Sequence, residues 1–162
     1  MRKIKDMNNL PPISYTPNNV PDACIAKLKI LSIGDVKFIR GNLDRWNVPV
    51  VDVFMKNENV SIKLKALIDT GSYYSHVKNW VVEKLNVSPS HFASGNNPQY
   101  GIITTPTFDI EYSIGGIKAE MVSNFMILLP GFDYDVILGS HIFDRFDLVV
   151  NSSDKSFHLE VK

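Results

Sequence analysis

The chain has 162 residues, and its 17 Lys and Arg residues balance its 17 Asp and Glu residues, so its formal net charge at pH 7 is zero. This balance provides no electrostatic basis for binding nucleic acid or an anionic membrane surface, and we expect neither as a partner. The single cysteine, Cys24, excludes an intrachain disulfide framework and a zinc site built from cysteines. Because there is also no secretory leader and no apolar run of membrane-spanning length, the sequence predicts a cytoplasmic protein.

The N-terminal segment, residues 1–25, differs in composition from the rest of the chain. It holds four of the nine prolines, at Pro11, Pro12, Pro17 and Pro21. Proline removes a backbone donor and biases its neighbours toward extended geometry. We therefore predict an extended or mobile arm over residues 1–25, followed by a single domain over residues 26–162.

Strand patterns begin directly after this arm. The segment from Ala26 to Arg40 alternates apolar and polar residues at its start and is predicted to form a strand or hairpin added to the domain core. Asn47 to Met55 is apolar on both faces, which is typical of a central strand. Val60 to Ala66 shows strict alternation, and the polar turn Lys56 to Asn59 predicts that these two strands form a hairpin.

The middle of the chain contains one helix candidate and a second hairpin. Lys78 to Leu85 carries Trp80 with other apolar residues roughly on one side, as in an amphipathic helix. A polar stretch, Ser88 to Gln99, then leads to a strand over Phe108 to Ile114. The pair Gly115-Gly116 predicts a tight turn into a strand over Ile117 to Leu129.

The C-terminal part continues the pattern of short apolar segments. It contains an apolar run at Val136 to Leu138, a short helix beginning at Ser140, two strands around Asn151 to Lys155, and alternation again from Phe157 to Val161. Many short strands with closely spaced turns predict an all-β barrel or sandwich. No internal repeat is evident.

The candidate catalytic residues lie in the segment Ala66-Leu67-Ile68-Asp69-Thr70-Gly71-Ser72. An acid here ends an apolar strand, and burying a carboxylate is costly unless donors surround it. Thr70 and Ser72 supply hydroxyls, and Gly71 allows close backbone approach and an N–H directed at the carboxylate. The same triplet is also compatible with an ordinary strand-ending turn, since Asp and Gly are frequent turn residues.

A second segment distinguishes these alternatives. Further along the chain lies Asp135-Val136-Ile137-Leu138-Gly139, followed by the start of a short helix. With these segments in this order, the chain resembles the retropepsin-like aspartic proteases. Members have an apolar-apolar-Asp-Thr-Gly segment, a flap hairpin, and an apolar-apolar-Gly segment leading into a helix. The matching residues are Leu67 to Gly71, a hairpin around Tyr100-Gly101-Ile102, and Ile137-Leu138-Gly139.

The resemblance covers about residues 48–161 and implies an all-β, closed acid-protease barrel with one or two short helices. It also implies a homodimeric endopeptidase that cleaves extended peptide segments with a water held between two aspartates. This chain has one Asp-Thr-Gly triplet, so two symmetry-related copies of Asp69 would supply the pair. The resemblance implies no cofactor and no metal.

Individual roles follow from the same resemblance. Thr70 would grip the backbone of the partner's loop, and Ser72 would hydrogen-bond the outer oxygen of Asp69. The flap residues Tyr100, Gly101 and Ile102 would close over a bound peptide.

The chain departs from the retroviral members at a charge pair near the site. Those members have an Arg after the second glycine, paired with an acid just after the triplet. Ser140 stands at the first place, and Tyr73 and Tyr74 follow Ser72 at the second. Both ends of the pair are missing together, and two tyrosines lie where substrate would run, so we do not carry over the retroviral substrate preference.

Several other readings remain open. His76, His91, His141 and His158 lack close metal-ligand spacing and are interpreted as solvated or core residues. A serine hydrolase is disfavoured because Gly71-Ser72 lacks the Gly-x-Ser-x-Gly elbow. The main functional alternative is a catalytically silent retropepsin-like module for peptide binding or dimerisation. The N-terminal arm could be an autoprocessed or self-inhibitory segment.

Overall fold

The computed structural model describes residues 28–34, 38–97, 101–117 and 119–162. The predicted arm over residues 1–25 lies outside these ranges. Within them, no helix is long and apolar enough to cross a membrane.

Most of the described chain is β-strand, with one short α-helix and one 3-10 helix. The elements in chain order are β1 (Leu28–Ile33), β2 (Phe38–Asn42), β3 (Val50–Asn57), β4 (Val60–Asp69), β5 (Ser75–Val77), α1 (Asn79–Leu85), β6 (His91–Asn97), β7 (Gly101–Ile114), β8 (Ala119–Ile127), β9 (Val136–Gly139), the 3-10 helix (Ser140–Asp144), β10 (Phe146–Asn151) and β11 (Ser156–Val161).

The larger sheet closes on itself as a barrel. Strands β8, β5, β9, β4, β3 and β7 are hydrogen-bonded in that order, and pairing between β7 and β8 completes the ring. Strand β1 extends the sheet from β8, and β6 extends it from β7. Strands β10, β11 and β2 form a separate three-stranded sheet. The expectation of an all-β closed barrel with short helices is thus confirmed.

Both predicted hairpins are present. Strands β3 and β4 pair antiparallel from Val50 opposite Leu67 to Asn57 opposite Val60. Along β4 the buried residues Ile62, Leu64 and Ala66 alternate with exposed ones, as the period-2 pattern predicts. Strands β7 and β8 are joined at the expected glycine pair, where Gly116 has φ +89°, a conformation that favours glycine.

Two segments are defined more closely by the structure than by the sequence pattern. Residues 91–97, inside the polar stretch Ser88 to Gln99 to which the pattern assigns no strand, form β6 and pair with β7. Backbone hydrogen bonds and polar pairs such as Ser94 with Thr104, 2.8 Å apart, support this strand without apolar alternation. Of the Ala26 to Arg40 segment, predicted to form a strand or hairpin added to the core, the described residues form β1, a strand added to β8, and the start of β2, which pairs with β11 and not with β1.

Helix α1 buries Val81, Val82 and Leu85 and ends at Asn86, which adopts the left-handed conformation. Trp80, expected on the same face, is instead exposed. The helix adds its apolar face to a core that includes Leu138 and Val77. The barrel around this core holds the end of β4, and with it Asp69, in a defined position.

Candidate active site

Asp69 lies beside Gly139. Strands β4 and β9 are parallel, with Ile68 opposite Leu138 and Asp69 opposite Gly139. The two segments that the sequence comparison singled out are therefore neighbours in space. Ile137 and Leu138 are both buried, and Leu138 belongs to the core.

The connection between β4 and β5 passes over the end of β9. Strand β9 lies between β4 and β5 in the sheet, so the segment 70–74, which we call the active-site loop, must cross it. The crossing is tight at Gly139. A Cβ atom there would lie 2.6 Å from the carbonyl oxygen of Tyr73 and closer still to that of Tyr74. The glycine is required because no side chain fits between the two backbones.

Hydrogen bonds fasten the active-site loop to the segment beneath it. The Ser140 N–H donates to the Ser72 carbonyl at 2.6 Å, and the His141 N–H donates to the Tyr73 carbonyl at 3.3 Å. In the other direction, the hydroxyl of the fully buried Ser75 accepts from the Gly139 N–H at 3.0 Å. These contacts hold the middle of the loop against the 3-10 helix, and Ser75, directly after the loop, against β9.

The Asp69 carboxylate is half-buried and accepts a hydrogen bond from its own loop. The Gly71 N–H donates to Asp69 Oδ1 at 2.8 Å, as the triplet predicts. Thr70 is exposed beside it. The Ser72 hydroxyl donates to the Tyr74 carbonyl at 2.9 Å. Its expected bond to the outer oxygen of Asp69 stays a prediction, as does the grip of Thr70 on a partner.

Two histidines lie close to this loop. Burial lowers the pKa of His76, while a hydrogen bond with the Tyr74 backbone and the charge of Asp69 oppose that shift. Burial also lowers the pKa of His141, against a hydrogen bond with the Tyr73 backbone and the charge of Asp144. Both imidazoles are therefore neutral at pH 7.

The expected flap hairpin corresponds to β6 and β7. Asn97 is opposite Gly101 and Asn96 is opposite Ile102, so Gly101 stands at the start of the returning strand. Gly101 has φ +76°, and Ile102 is 62% exposed. Tyr100 lies outside the described residues. The hairpin therefore has the place in the chain order that the flap assignment requires, while closure over a peptide stays a prediction.

Sequence reasoning did not single out Ser75 or His141 as parts of this site. Ser75 is buried, and its partner Gly139 lies 64 positions away in the sequence. His141 is 1% exposed, which agrees with the core interpretation, but its partners are distant in sequence: Tyr73 in the active-site loop and Ser123 in β8. No spacing signal reveals such contacts, since they arise only when the active-site loop crosses β9.

Within the described residues, no group of three or more His, Cys, Asp or Glu side chains could hold a metal ion. The candidate site in one chain contains the Asp69 carboxylate, which lies at the end of a barrel strand beside a loop hydrogen-bonded to the 3-10 helix. A carboxylate of this kind can accept a proton from water, and it needs a second acidic group to protonate a carbonyl oxygen at the same time.

The fold is that of the retropepsin-like class. It is similar to the crystal structure of a retropepsin-like aspartic protease from Rickettsia conorii, with a TM-score of 0.56 and 16% sequence identity, over 84% of this chain and 94% of that chain. A second match is a protein of unknown function (DUF785) from Legionella pneumophila, with 14% identity over 59% of this chain and 84% of that chain and a TM-score of 0.39. The sequence matches no protein-family model. A search of curated proteins found no match.

Proposed function

We propose that the chain is an aspartic endopeptidase that acts as a homodimer on extended peptide segments. One observation carries this proposal: Asp69 stands beside Gly139 at the crossing of the active-site loop over β9, within a retropepsin-like barrel. An ordinary strand-ending turn would not require a loop that is hydrogen-bonded to the 3-10 helix through Ser72 and Tyr73 and packed against a glycine without room for a Cβ.

The requirement for a second chain follows from the number of motifs. The sequence has one Asp-Thr-Gly triplet; the other candidate acids Asp133, Asp135, Asp144 and Asp147 are not followed by a hydroxyl residue and glycine. A two-fold dimer places the same patch of both copies together, so it would supply two equivalent Asp69 side chains. Thr70, exposed at the loop, is available for contact with the partner.

The chemistry would proceed through a water held between the two carboxyl groups. Two carboxylates this close cannot both be ionised, so the pair holds one proton and titrates as a unit. The ionised group removes a proton from water, and the hydroxide oxygen bonds to the scissile carbonyl carbon. The protonated group gives its proton to the carbonyl oxygen. Collapse of this tetrahedral intermediate breaks the C–N bond, with a proton passing to the leaving amine.

The substrate would be bound in an extended conformation beneath the β6–β7 hairpin. An extended peptide offers backbone groups on both sides, which a flap strand can bind irrespective of side chains. Gly101 and the exposed Ile102 would contact the peptide, together with Tyr100. Closure would exclude water from the reacting carbonyl.

The first experiment is digestion of an unstructured protein such as casein at several values between about pH 4 and 7, the range in which carboxyl dyads change protonation. We expect cleavage by the wild type, loss of cleavage in Asp69→Asn, and inhibition by pepstatin-like compounds. Asp109→Asn is the matched control, because Asp109 is exposed on β7 and accepts from Asn124, a bond that an amide oxygen can replace.

The oligomeric state tests the second half of the proposal. Sedimentation or light scattering should show a dimer at the concentrations where cleavage occurs. A chain that stays monomeric at high micromolar concentration yet cleaves through Asp69 would rule out the homodimeric mechanism. Folded, dimeric wild type and Asp69→Asn that both fail to cleave would instead favour the silent peptide-binding or dimerisation module.

A further inference from the structure

A buried chain of hydrogen bonds runs from the active-site loop into the barrel. His141 Nδ1 lies 3.0 Å from the Tyr73 carbonyl oxygen, and His141 Nε2 lies 3.4 Å from Ser123 Oγ. Ser123 Oγ in turn lies 3.2 Å from the Tyr112 hydroxyl. His141, Ser123 and Tyr112 are each almost fully buried. The loop is thus connected through one imidazole to strands β8 and β7.

The partners determine how the protons are arranged. A carbonyl oxygen can only accept, so Nδ1 carries the proton and donates to Tyr73. In the neutral imidazole Nε2 is then the acceptor, and the Ser123 hydroxyl donates to it. The Tyr112 hydroxyl donates to Ser123 Oγ and completes the chain. Burial raises the pKa of Tyr112 to about 12, so its hydroxyl keeps the proton that this arrangement needs.

His141 is the side chain that adds to the backbone anchors of the active-site loop. Tyr73 accepts from both the N–H and the ring of this residue. The carbonyls of Ser72 and Tyr73 therefore point toward the 3-10 helix, while the Gly71 N–H points toward Asp69. Because a peptide plane is rigid, turning the Tyr73 carbonyl away from its donors would rotate the Tyr74 N–H of the same peptide, and the short loop between Asp69 and Ser75 would have to adjust to that rotation.

We propose that His141 is a positioning residue, which uses Nδ1–H to set the orientation of the active-site loop and so of the Asp69 carboxylate. This inference rests on the proposed peptidase function for its catalytic consequence. His141 does not contact the substrate; it acts through Tyr73. Its distal partners Ser123 and Tyr112 keep the ring in the tautomer that donates to the loop.

Two variants of His141 separate positioning from a merely structural role. In His141→Asn the amide nitrogen lies near the position of Nδ1 and can donate to Tyr73, but contact with Ser123 is lost. In His141→Gln the amide lies near the position of Nε2 and can contact Ser123, but the side-chain donation to Tyr73 is lost and only the backbone N–H of residue 141 still donates to it. Each variant removes one of the two hydrogen bonds of the His141 side chain. A purely structural role therefore predicts similar losses of stability and activity in both variants.

The activity arm measures kcat and KM of both variants, normalised to folded dimer. We expect His141→Asn to keep kcat within about threefold of wild type. His141→Gln should lose about tenfold or more in kcat with little change in KM, because a reacting group would be misplaced. His158→Gln, on β11 in the three-stranded sheet, is the control for a histidine change elsewhere. Equal kcat losses in the Asn and Gln variants would overturn the proposal and leave the peptidase function intact.

A second arm does not depend on cleavage. Nitrogen-15 spectra of the wild-type imidazoles should show His141 as the Nδ1–H tautomer, and backbone amide signals of Gly71 and Ser72 should move in His141→Gln more than in His141→Asn. An Nε2–H tautomer, or equal amide shifts in the two variants, would reject the positioning role. If wild type does not cleave, the peptidase function fails on its own, and these spectra still decide whether His141 orients the loop.

Discussion

Gly139 and Tyr74 are in backbone contact with no room for a side chain between them. A Cβ atom on Gly139 would meet the Tyr74 carbonyl carbon at 2.5 Å. Real Cβ atoms do not approach backbone atoms this closely, and neither strand β9 nor the loop above it can move without losing its hydrogen bonds. This contact sets the distance between the active-site loop and β9, and therefore the position of Asp69.

Substitution Gly139→Ala should accordingly displace the active-site loop. We expect the free energy of unfolding to fall by about 3 kcal/mol, the upper range for forcing extra atoms into a packed site. Urea unfolding monitored by circular dichroism measures this change. Ser140→Ala is the matched control, because it adds no atom and keeps the N–H that donates to Ser72. Equal stability of the two variants would show that the loop yields easily at Gly139.

Loss of the buried Ser75 hydroxyl should also weaken the crossing. In Ser75→Ala the Gly139 N–H loses its acceptor, which lies 3.0 Å away in a fully buried position. An unsatisfied buried donor costs about 1–3 kcal/mol, and we expect a loss of that size. The same change at the exposed Ser61 should have almost no effect. A Ser75→Ala variant as stable as Ser61→Ala would mean that another group satisfies the Gly139 N–H.

The turn before β3 provides a contrast between a hydrogen-bonding carboxylate and an ion pair. Asp44 accepts from the N–H groups of Trp46 at 2.8 Å and Val48 at 3.2 Å and from the Tyr134 hydroxyl. Removing these bonds in Asp44→Ala should cost about 1–2 kcal/mol of unfolding free energy.

The neighbouring Arg45 should matter less. Its ion pair with Asp133 at 3.0 Å joins side chains that are 72% and 60% exposed, so water screens the attraction. Arg45→Ala should change stability by less than about 1 kcal/mol. Thermal unfolding of the two variants side by side measures the difference, and a larger loss in Arg45→Ala than in Asp44→Ala would contradict this ranking.

Stability should decrease as the pH falls below 6.5. Burial holds the pKa of His76 and His141 below the ordinary histidine value of 6.5, so between 6.5 and the lowered pKa the unfolded chain binds protons that the folded chain does not. The contribution of these two histidines to the free energy of unfolding is complete above pH 6.5 and is lost as the pH falls through this window. Hydrogen bonds from Lys65 and Lys63 lower the pKa of Asp52. The contribution of this carboxylate to the free energy of unfolding is therefore lost only below about pH 3.8.

Urea unfolding at a fixed protein concentration, on both sides of pH 6.5, measures this dependence. His141→Asn removes one of the two groups and should reduce the slope of unfolding free energy against pH in the window below 6.5. A slope as steep in the variant as in wild type would show that proton uptake by His141 does not contribute.

Local patterns predicted much of the barrel. Alternation in Val60 to Ala66 identified β4 because every second side chain faces the core, and the glycine pair at Gly115 and Gly116 identified the β7–β8 turn because positive φ is needed there. The same patterns predict no strand at β6, since its polar residues lie at a sheet edge where backbone pairing needs no apolar face. The hairpin there is expected only from the resemblance, as the flap around Tyr100-Gly101-Ile102. It also left open whether the strands formed a barrel or a sandwich.

For the site, the sequence by itself identified the candidate catalytic residue: Asp69 ends an apolar strand, and hydroxyls and a glycine follow it. Only the tertiary structure decided which distant groups support that carboxylate. Ser75 and His141 meet the active-site loop beside Gly139, which the resemblance had already singled out, because β9 inserts between β4 and β5, and that insertion depends on how the whole sheet closes. Periodicity reports which face of a strand a residue occupies, and it contains no information about which strand lies beside it.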